Sequence, residues 1–355
     1  MTTAMKNNAR ESNAELRAKL KTLVVKNRRL DLIEERILEM LADTEVLVAD
    51  DLLREKEAEE LRQSITYTEL WALPIIGPTG STKTTSMESI AEKLKRRRRG
   101  NRPVLMVKCR ASTRTAKQLQ VQILEAFGDP QAELMQRRVA NFSHKAAMDA
   151  IRKVARGAGT HIVVLDEVHN MLGRDKRANA ATMAVAIKSL VNDGVFSIVV
   201  MGTKDAHLLF QVDAELNSRK FDEISLEPAS LSDEQDYEYF FKFVGRVERE
   251  MADLGIIDKR IGLIDDIDSR AKIYDLADGV VGVVSRVLML ALRISQRDGR
   301  RSIGWDDIKH GFWTWKADQK DDDGNPIAGI YDPFKSNTKP TTNAAIREMS
   351  KKLKV

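Results

Sequence analysis

One octapeptide narrows the possible fold more than any bulk property does. The apolar run from Trp71 to Ile76 delivers the chain into Gly77-Pro78-Thr79-Gly80-Ser81-Thr82-Lys83-Thr84, and a helical pattern follows. Strand, glycine-bearing loop and helix in that order match the phosphate-binding loop G-x-x-x-x-G-K-[ST] at every position but one. Gly77 lets the chain leave the strand sharply, and Gly80 with its neighbours turns backbone N–H groups toward phosphate oxygens. Lys83 places a point charge on the β- and γ-phosphates of ATP, and the Thr84 hydroxyl is a Mg²⁺ ligand. The positive end of the next helix, with Thr85 in its first turn, faces the same anion. The departure is Thr82, where the motif has glycine. A β-branched residue is stiffer and wider there, so two outcomes stay open: the loop closes on nucleotide with slower hydrolysis, or binding is weakened outright.

A loop of this kind needs a buried parallel sheet, and the composition allows one. The 355 residues can form more than one domain, and 43% hydrophobic with 31% charged residues describes a folded, well-charged chain. Aromatics are only 5%, so the core must rest on Leu, Ile, Val, Ala and Met. A net charge of +5 is compatible with a nucleic-acid partner. Cys109 is the single cysteine, which excludes an internal disulfide and reads as a buried strand-end residue. The five histidines lack metal-ligand spacing. No apolar run reaches membrane-spanning length and the N-terminus lacks a signal-peptide core, so a cytoplasmic protein is expected.

Periodicity divides the chain. Residues 1–10 are polar and expected to be mobile. Helical spacing runs from Glu15 to Leu41 and again from Asp50 to Ser64, giving an N-terminal helical extension over 1–64. Residues 65–228 alternate apolar strands (71–76, 103–108, 161–165, 195–201) with helices (116–127, 143–156, 178–192). That alternation predicts an α/β core, a parallel sheet flanked by helices. The strand signal then fades, and four helical segments (233–254, 265–278, 283–297, 305–315) predict a small all-α domain over 229–317. A turn or linker follows at 321–326. The tail, 318–355, is polar and basic, expected to stay disordered until bound, and a candidate docking segment.

Beyond the loop, His161 to Leu165 is an apolar strand ending in Asp166 and Glu167. In P-loop ATPases the first carboxylate orients Mg²⁺ and the second polarises the attacking water. Ligands bind at the carboxyl ends of such sheets. The strand from Val199 ends at Gly202-Thr203. Thr203 either senses the γ-phosphate or caps the following helix.

These motifs, with Leu165-Asp-Glu-Val-His-Asn170, Val200-Met-Gly-Thr-Lys-Asp-Ala206 and Glu215-Leu-Asn-Ser-Arg219-Lys-Phe221, resemble the AAA+ ATPases of transposons, the TniB/TnsC family, over roughly residues 65–300. The resemblance implies a P-loop AAA+ core with an α-helical lid. It also implies an ATP-dependent homo-oligomer, ring or helical filament, that coats double-stranded DNA and recruits or activates a transposase. Phage MuB proteins act similarly. By the same resemblance Arg219 matches an arginine finger that reaches a neighbour's γ-phosphate. Lys220 is its rival, because it separates Arg219 from Phe221. Arg286 in Gly282-Val-Val-Ser285-Arg286 resembles a lid arginine that contacts nucleotide.

The densest basic run, Lys95 to Arg99 followed by Arg102, reads either as a phosphate contact or as a solvated helix end. The family's DNA-gripping elements after the second strand correspond by position to Arg110, Thr113, Arg114, Lys117, Arg137 and Arg138. No zinc finger or helix-turn-helix stands out, so backbone contact rather than base reading is expected. The transposase and a target-selection protein are the expected partners, with no membrane. Two other readings share the ATP site: a replication initiator or loader, and a nucleotide-gated scaffold in which Thr82 has abolished hydrolysis.

Overall fold

The computed structural model describes residues 11–137, 143–317, 319, 331–335 and 340–353. They divide into two units. One is Arg28–Glu227, and the other joins Met1–Asn27 to Pro228–Val355.

The chain enters the second unit first, with α1 (Asn13–Thr22). Ser12 and Glu15 close a capping box at its start. The helix stops at Leu23, whose backbone is extended, and the β-branched pair Val24 and Val25 follows. A 34-residue helix, α2 (Arg28–Leu61), then opens the α/β unit. The sequence pattern predicts a break near residues 42–49, and the structure places it at 23–27 instead. Residues 42–49 run on as continuous helix and bury Thr44 and Val48. Thr44 donates to the Met40 carbonyl at 2.7 Å and meets Ser197 Oγ at 2.6 Å.

The sheet is built from β1 (Ala72–Ile76), β2 (Val104–Lys108), β3 (Ile162–Asp166), β4 (Ser197–Gly202) and β5 (Ile224–Ser225). All neighbours are parallel, in the order β2-β3-β4-β1-β5. Strands β1, β3 and β4 are buried along their whole length, which is why they read as unbroken apolar runs. Between them in the chain run α3 (Lys83–Arg97), α4 (Ala116–Phe127), α5 (Gln131–Arg137), α6 (His144–Ala158), α7 (Lys176–Asn192), α8 (His207–Val212) and α9 (Ala214–Ser218). One sheet face is covered by Ile33, Ile37 and Met40 of α2 with Met87 and Ile90 of α3. The other meets Leu119 and Ile123 of α4, Ile151 of α6 and Ile187 of α7. The helix α2 is therefore part of the layer that buries the sheet.

The helical unit continues with α10 (Glu234–Asp253), α11 (Ile267–Ala277), α12 (Val281–Arg297), α13 (Trp305–Ala317) and α14 (Pro340–Leu353). Phe240, Val244, Val287, Leu288, Ile308 and Phe312 share one core with Leu20 and Val25 of the N-terminal segment. Helices α12 and α13 approach closely at Gly311, where a Cβ would lie 2.9 Å from the Val287 carbonyl oxygen. Residues 340–353, expected as part of a tail awaiting a partner, form α14. Ile346 and Met349 enter the same core, and Thr342 donates to Asp275 Oδ1 at 2.6 Å. The polar composition hides a short apolar stripe that this core absorbs. The expected mobile stretch 1–10 and the expected linker at 321–326 lie outside the described residues. No helix among the described residues is long and apolar enough to cross a membrane.

Candidate nucleotide site

The order of the strands brings the motifs together. β1 lies beside β4, with β3 next, so their carboxyl ends form one edge. The Gly77 amide donates to the Gly202 carbonyl at 3.1 Å, which ties the start of the loop to the end of β4. Gly77 cannot be replaced without a shift, because a Cβ would stand 2.7 Å from the Leu226 carbonyl oxygen and 2.9 Å from Ser81 Oγ.

Within the loop, Lys83 Nζ donates to the carbonyls of Gly77 at 2.6 Å and Pro78 at 2.9 Å, and to Ser81 Oγ at 3.0 Å. Burial pulls its pKa down to about 8, against the opposing pull of Asp166 and Glu167. Gly80 takes φ 87° and Thr82 takes φ 66°. The motif's glycine position is thus a left-handed one, and threonine occupies it at a cost of about 1–3 kcal/mol. Thr82 makes no side-chain capping bond at the start of α3 that would offset this. Thr79 and Gly80 are exposed at the loop tip, and Thr85 is exposed on the first turn of α3.

Thr84 Oγ1 donates to Asp166 Oδ2 at 2.7 Å, joining the first turn of α3 to the end of β3. Asp166 Oδ1 accepts the Glu167 amide at 2.8 Å. Glu167 has a left-handed backbone, φ 55°, which turns its side chain off the strand axis. Its Oε2 lies 3.3 Å from Lys108 Nζ and accepts from Asn170 Nδ2 at 3.3 Å. Asn170 also donates to the Cys109 carbonyl at 3.3 Å, so one amide links the end of β2 to the carboxylate. Lys108 lies outside the motifs, and Asn170, which closes the Leu165–Asn170 segment, is marked as a contact of Glu167 only by standing three residues after it, on the same turn. His169 lies near Glu167 and Lys83, and burial lowers its pKa below the ordinary imidazole value. Thr203 begins the short turn Lys204–Ala206 without a capping bond from its hydroxyl.

The residues present suit a nucleoside triphosphate with its metal. The loop carries a lysine inside a ring of backbone groups, and a hydroxyl and a carboxylate already face each other where a Mg²⁺ ligand pair is needed.

Other residues singled out in the sequence are engaged differently. Cys109 is buried at the end of β2, and burial raises its thiol pKa, so it is inert. Arg219 lies at the opposite edge, where its carbonyl accepts the Ala72 amide at 3.0 Å. It is 5% exposed and gripped by Glu69 at 2.5 Å, Glu215 at 2.8 Å and the Asn192 amide oxygen. Lys220 pairs with Glu223 at 2.6 Å. Arg286 is exposed on α12, in the helical unit.

Of the residues placed after β2, Arg110 pairs with Glu125 at 2.7 Å and is exposed. Thr113 is buried and donates to Gln122 at 3.0 Å, so its hydroxyl faces inward. Arg114 spends its guanidinium on the carbonyls of Asn170, at 3.1 Å, and Met171. Lys117 stands half-buried in the first turn of α4. Arg137 ends α5, and Arg138 lies outside the described residues. In the basic run, Arg96 pairs with Glu92 and Arg98 with Glu45, while Lys95, Arg97 and Arg99 are exposed.

Strand order, loop and paired carboxylate ends define the class as a P-loop AAA+ ATPase fold. Solved structures share it. The ORC1 protein of Aeropyrum pernix, solved in complex with DNA, is 17% identical, with 87% of this chain and 72% of that one covered at a TM-score of 0.52. The ORC2 protein of the same organism, solved as ADPNP-ADP complexes, is 14% identical (79% and 68% covered, TM-score 0.48). Drosophila ORC bound to DNA is 12% identical (88% and 68% covered, TM-score 0.47). No curated protein matches the sequence. Residues 49–231 match the family described as Bacterial TniB protein, and the chain belongs to that family.

Proposed function

We propose that this chain is an ATP-dependent regulator of DNA transposition that assembles on target DNA as a ring or helical filament. The assembly recruits or activates a transposase, and hydrolysis takes it apart. The observation that carries this reading is the joined loop and β3 end, Lys83 within the loop and Thr84 on Asp166, in a chain of the TniB family. Lys83 and the loop amides would bind the phosphates, and Thr84 and Asp166 would hold Mg²⁺, which would supply neutralising charge to the triphosphate. Glu167 polarises the attacking water once Lys108 and Asn170 release it. Arg219 acts on the neighbouring protomer's nucleotide, which requires that it leave Glu69 and Glu215 on assembly. Arg286 contributes from the lid.

Electron microscopy with duplex DNA in ATP, a non-hydrolysable analogue and ADP tests this directly. Ordered assemblies with the first two and none with ADP are expected. Glu167→Gln is expected to slow turnover at least tenfold and to prolong the DNA-bound form; wild-type turnover in that variant means that another group activates the water.

A second reading, a nucleotide-gated scaffold without hydrolysis, draws support from the strained Thr82 and the tethered Glu167. Phosphate release with and without DNA separates the two.

A further inference from the structure

A pocket of about 410 Å³ lies wholly within the helical unit, lined by Asn13 and Arg17 of α1 and by Arg293, Gln296 and Arg297 of α12. Helical spacing puts them there. Asn13 and Arg17 are four residues apart, and the α12 residues follow i, i+3, i+4, so each set shares one face. Three guanidiniums converge on one opening, and none is paired with a carboxylate among the described residues. Nearby acids are committed elsewhere: Glu11 to Lys19 at 2.6 Å, Glu15 to the Ser12 cap, and Asp298 to Arg300 at 2.8 Å.

A buried group adds an independent observation. Arg17 Nη1 donates to Gln296 Oε1 at 2.6 Å. Gln296 is 7% exposed, and its Nε2 has no acceptor among the described residues. A donor buried without an acceptor is costly, and an oxygen-rich anion seated beside it would satisfy it.

We propose that this pocket is a phosphate site whose ligand is the backbone of duplex DNA. Guanidinium forks match phosphate oxygens in geometry and charge. The lining holds no aromatic residue, so there is no platform on which a base could stack. Asn13, Arg293 and Arg297 are exposed, so the site is open to solvent. Three cations exceed the charge of a single carboxylate and suit a polyanion. The inference rests on the DNA-binding role proposed for the chain, and it assigns DNA contact to residues outside both the ATP site and the segment after β2.

The test uses the full chain with ATP and a fluorescent duplex, comparing wild type with the double variant Arg293→Gln/Arg297→Gln. Both side chains are exposed, so the variant should fold. Affinity is expected to fall about tenfold or more. The slope of log Kd against log salt should become shallower by roughly two, near 0.9 for each phosphate no longer neutralised. DNA-free ATP turnover should stay unchanged, and Arg293→Lys/Arg297→Lys should recover much of the salt slope. Unchanged affinity and slope in the glutamine variant overturn the proposal.

Should the wild type bind no duplex with any nucleotide, the transposition role fails first. Hydrogen exchange with inorganic phosphate, in a Lys83→Ala background that silences the loop, then decides the pocket. Protection at 13–17 and 293–297 that the double variant abolishes keeps a phosphate site but removes DNA as its ligand, and no protection removes both. Tighter capture of a polyglutamate peptide than of duplex, abolished in the same variant, would assign the pocket to an acidic protein and overturn the proposal.

Discussion

At the carboxyl edge of the sheet, charge and backbone are left short of comfort. Lys83 is buried with its pKa drawn down, Thr82 and Glu167 sit in left-handed conformations, and Lys108 and Asn170 hold the Glu167 carboxylate at 3.3 Å each. At the amino edge of the same sheet, Arg219 is equally buried but meets two carboxylates and an amide oxygen. One edge holds a cation that donates to two carbonyls and a hydroxyl, and the other a cation paired with carboxylates. The contrast teaches where a buried charge is compensated and where it is left costly.

The sharpest way to break the contrast is Lys83→Ala. ATP affinity should fall by about a hundredfold or more, while thermal stability in the absence of nucleotide stays level or rises. A large loss of stability would show that the lysine is structural. Next comes Arg219→Ala. Its partners are half-exposed carboxylates that can rehydrate, so the expected loss is about 2 kcal/mol in urea unfolding. Nucleotide affinity of the isolated protomer should be unchanged. Lost turnover without lost stability would show that the amino edge serves only the neighbour.

A pH series sharpens the comparison further. The folded Lys83 value near 8 lies below the ordinary 10.5. Between those limits the unfolded chain binds more protons, so nucleotide-free stability should gain from this group as pH rises, the burial penalty being complete below 8. ATP affinity should move the other way, weakening several-fold as pH climbs through 8 to 9. Flat affinity across that range would show that the lysine is not the group that titrates. The smallest effect is expected from Thr82→Gly. Relief of the left-handed threonine, less the entropy cost of glycine, should stabilise the protein by about 1 kcal/mol, read in the same urea titration.

Much of this site is legible in the sequence, because loop motifs of this kind are local. Lys83 and Thr84 are placed by a motif, and Asp166 and Glu167 by the end of an apolar strand. The strands themselves are legible because burial on both faces leaves unbroken runs. What escapes is set by distant partners. Glu69, Asn192 and Glu215 close around Arg219 from three segments, and no spacing announces that. β5 is two residues long and is fixed by pairing with Ile75 and Ile76 rather than by its own pattern. The helix break at 23–27 is decided by where Val25 is buried, and α14 by a core that its composition does not reveal.

The helical unit is stitched from two stretches of chain separated by the whole of the α/β unit. On the ribosome, α1 is therefore made long before α10 to α14 exist to cover Leu20. At about 5–20 residues per second, that wait lasts roughly 15–65 s. During it a greasy stripe stands open while the chain of the α/β unit is being made. Chaperone capture of the nascent amino-terminal segment, and a fusion tag's influence on yield, should both trace to that delay.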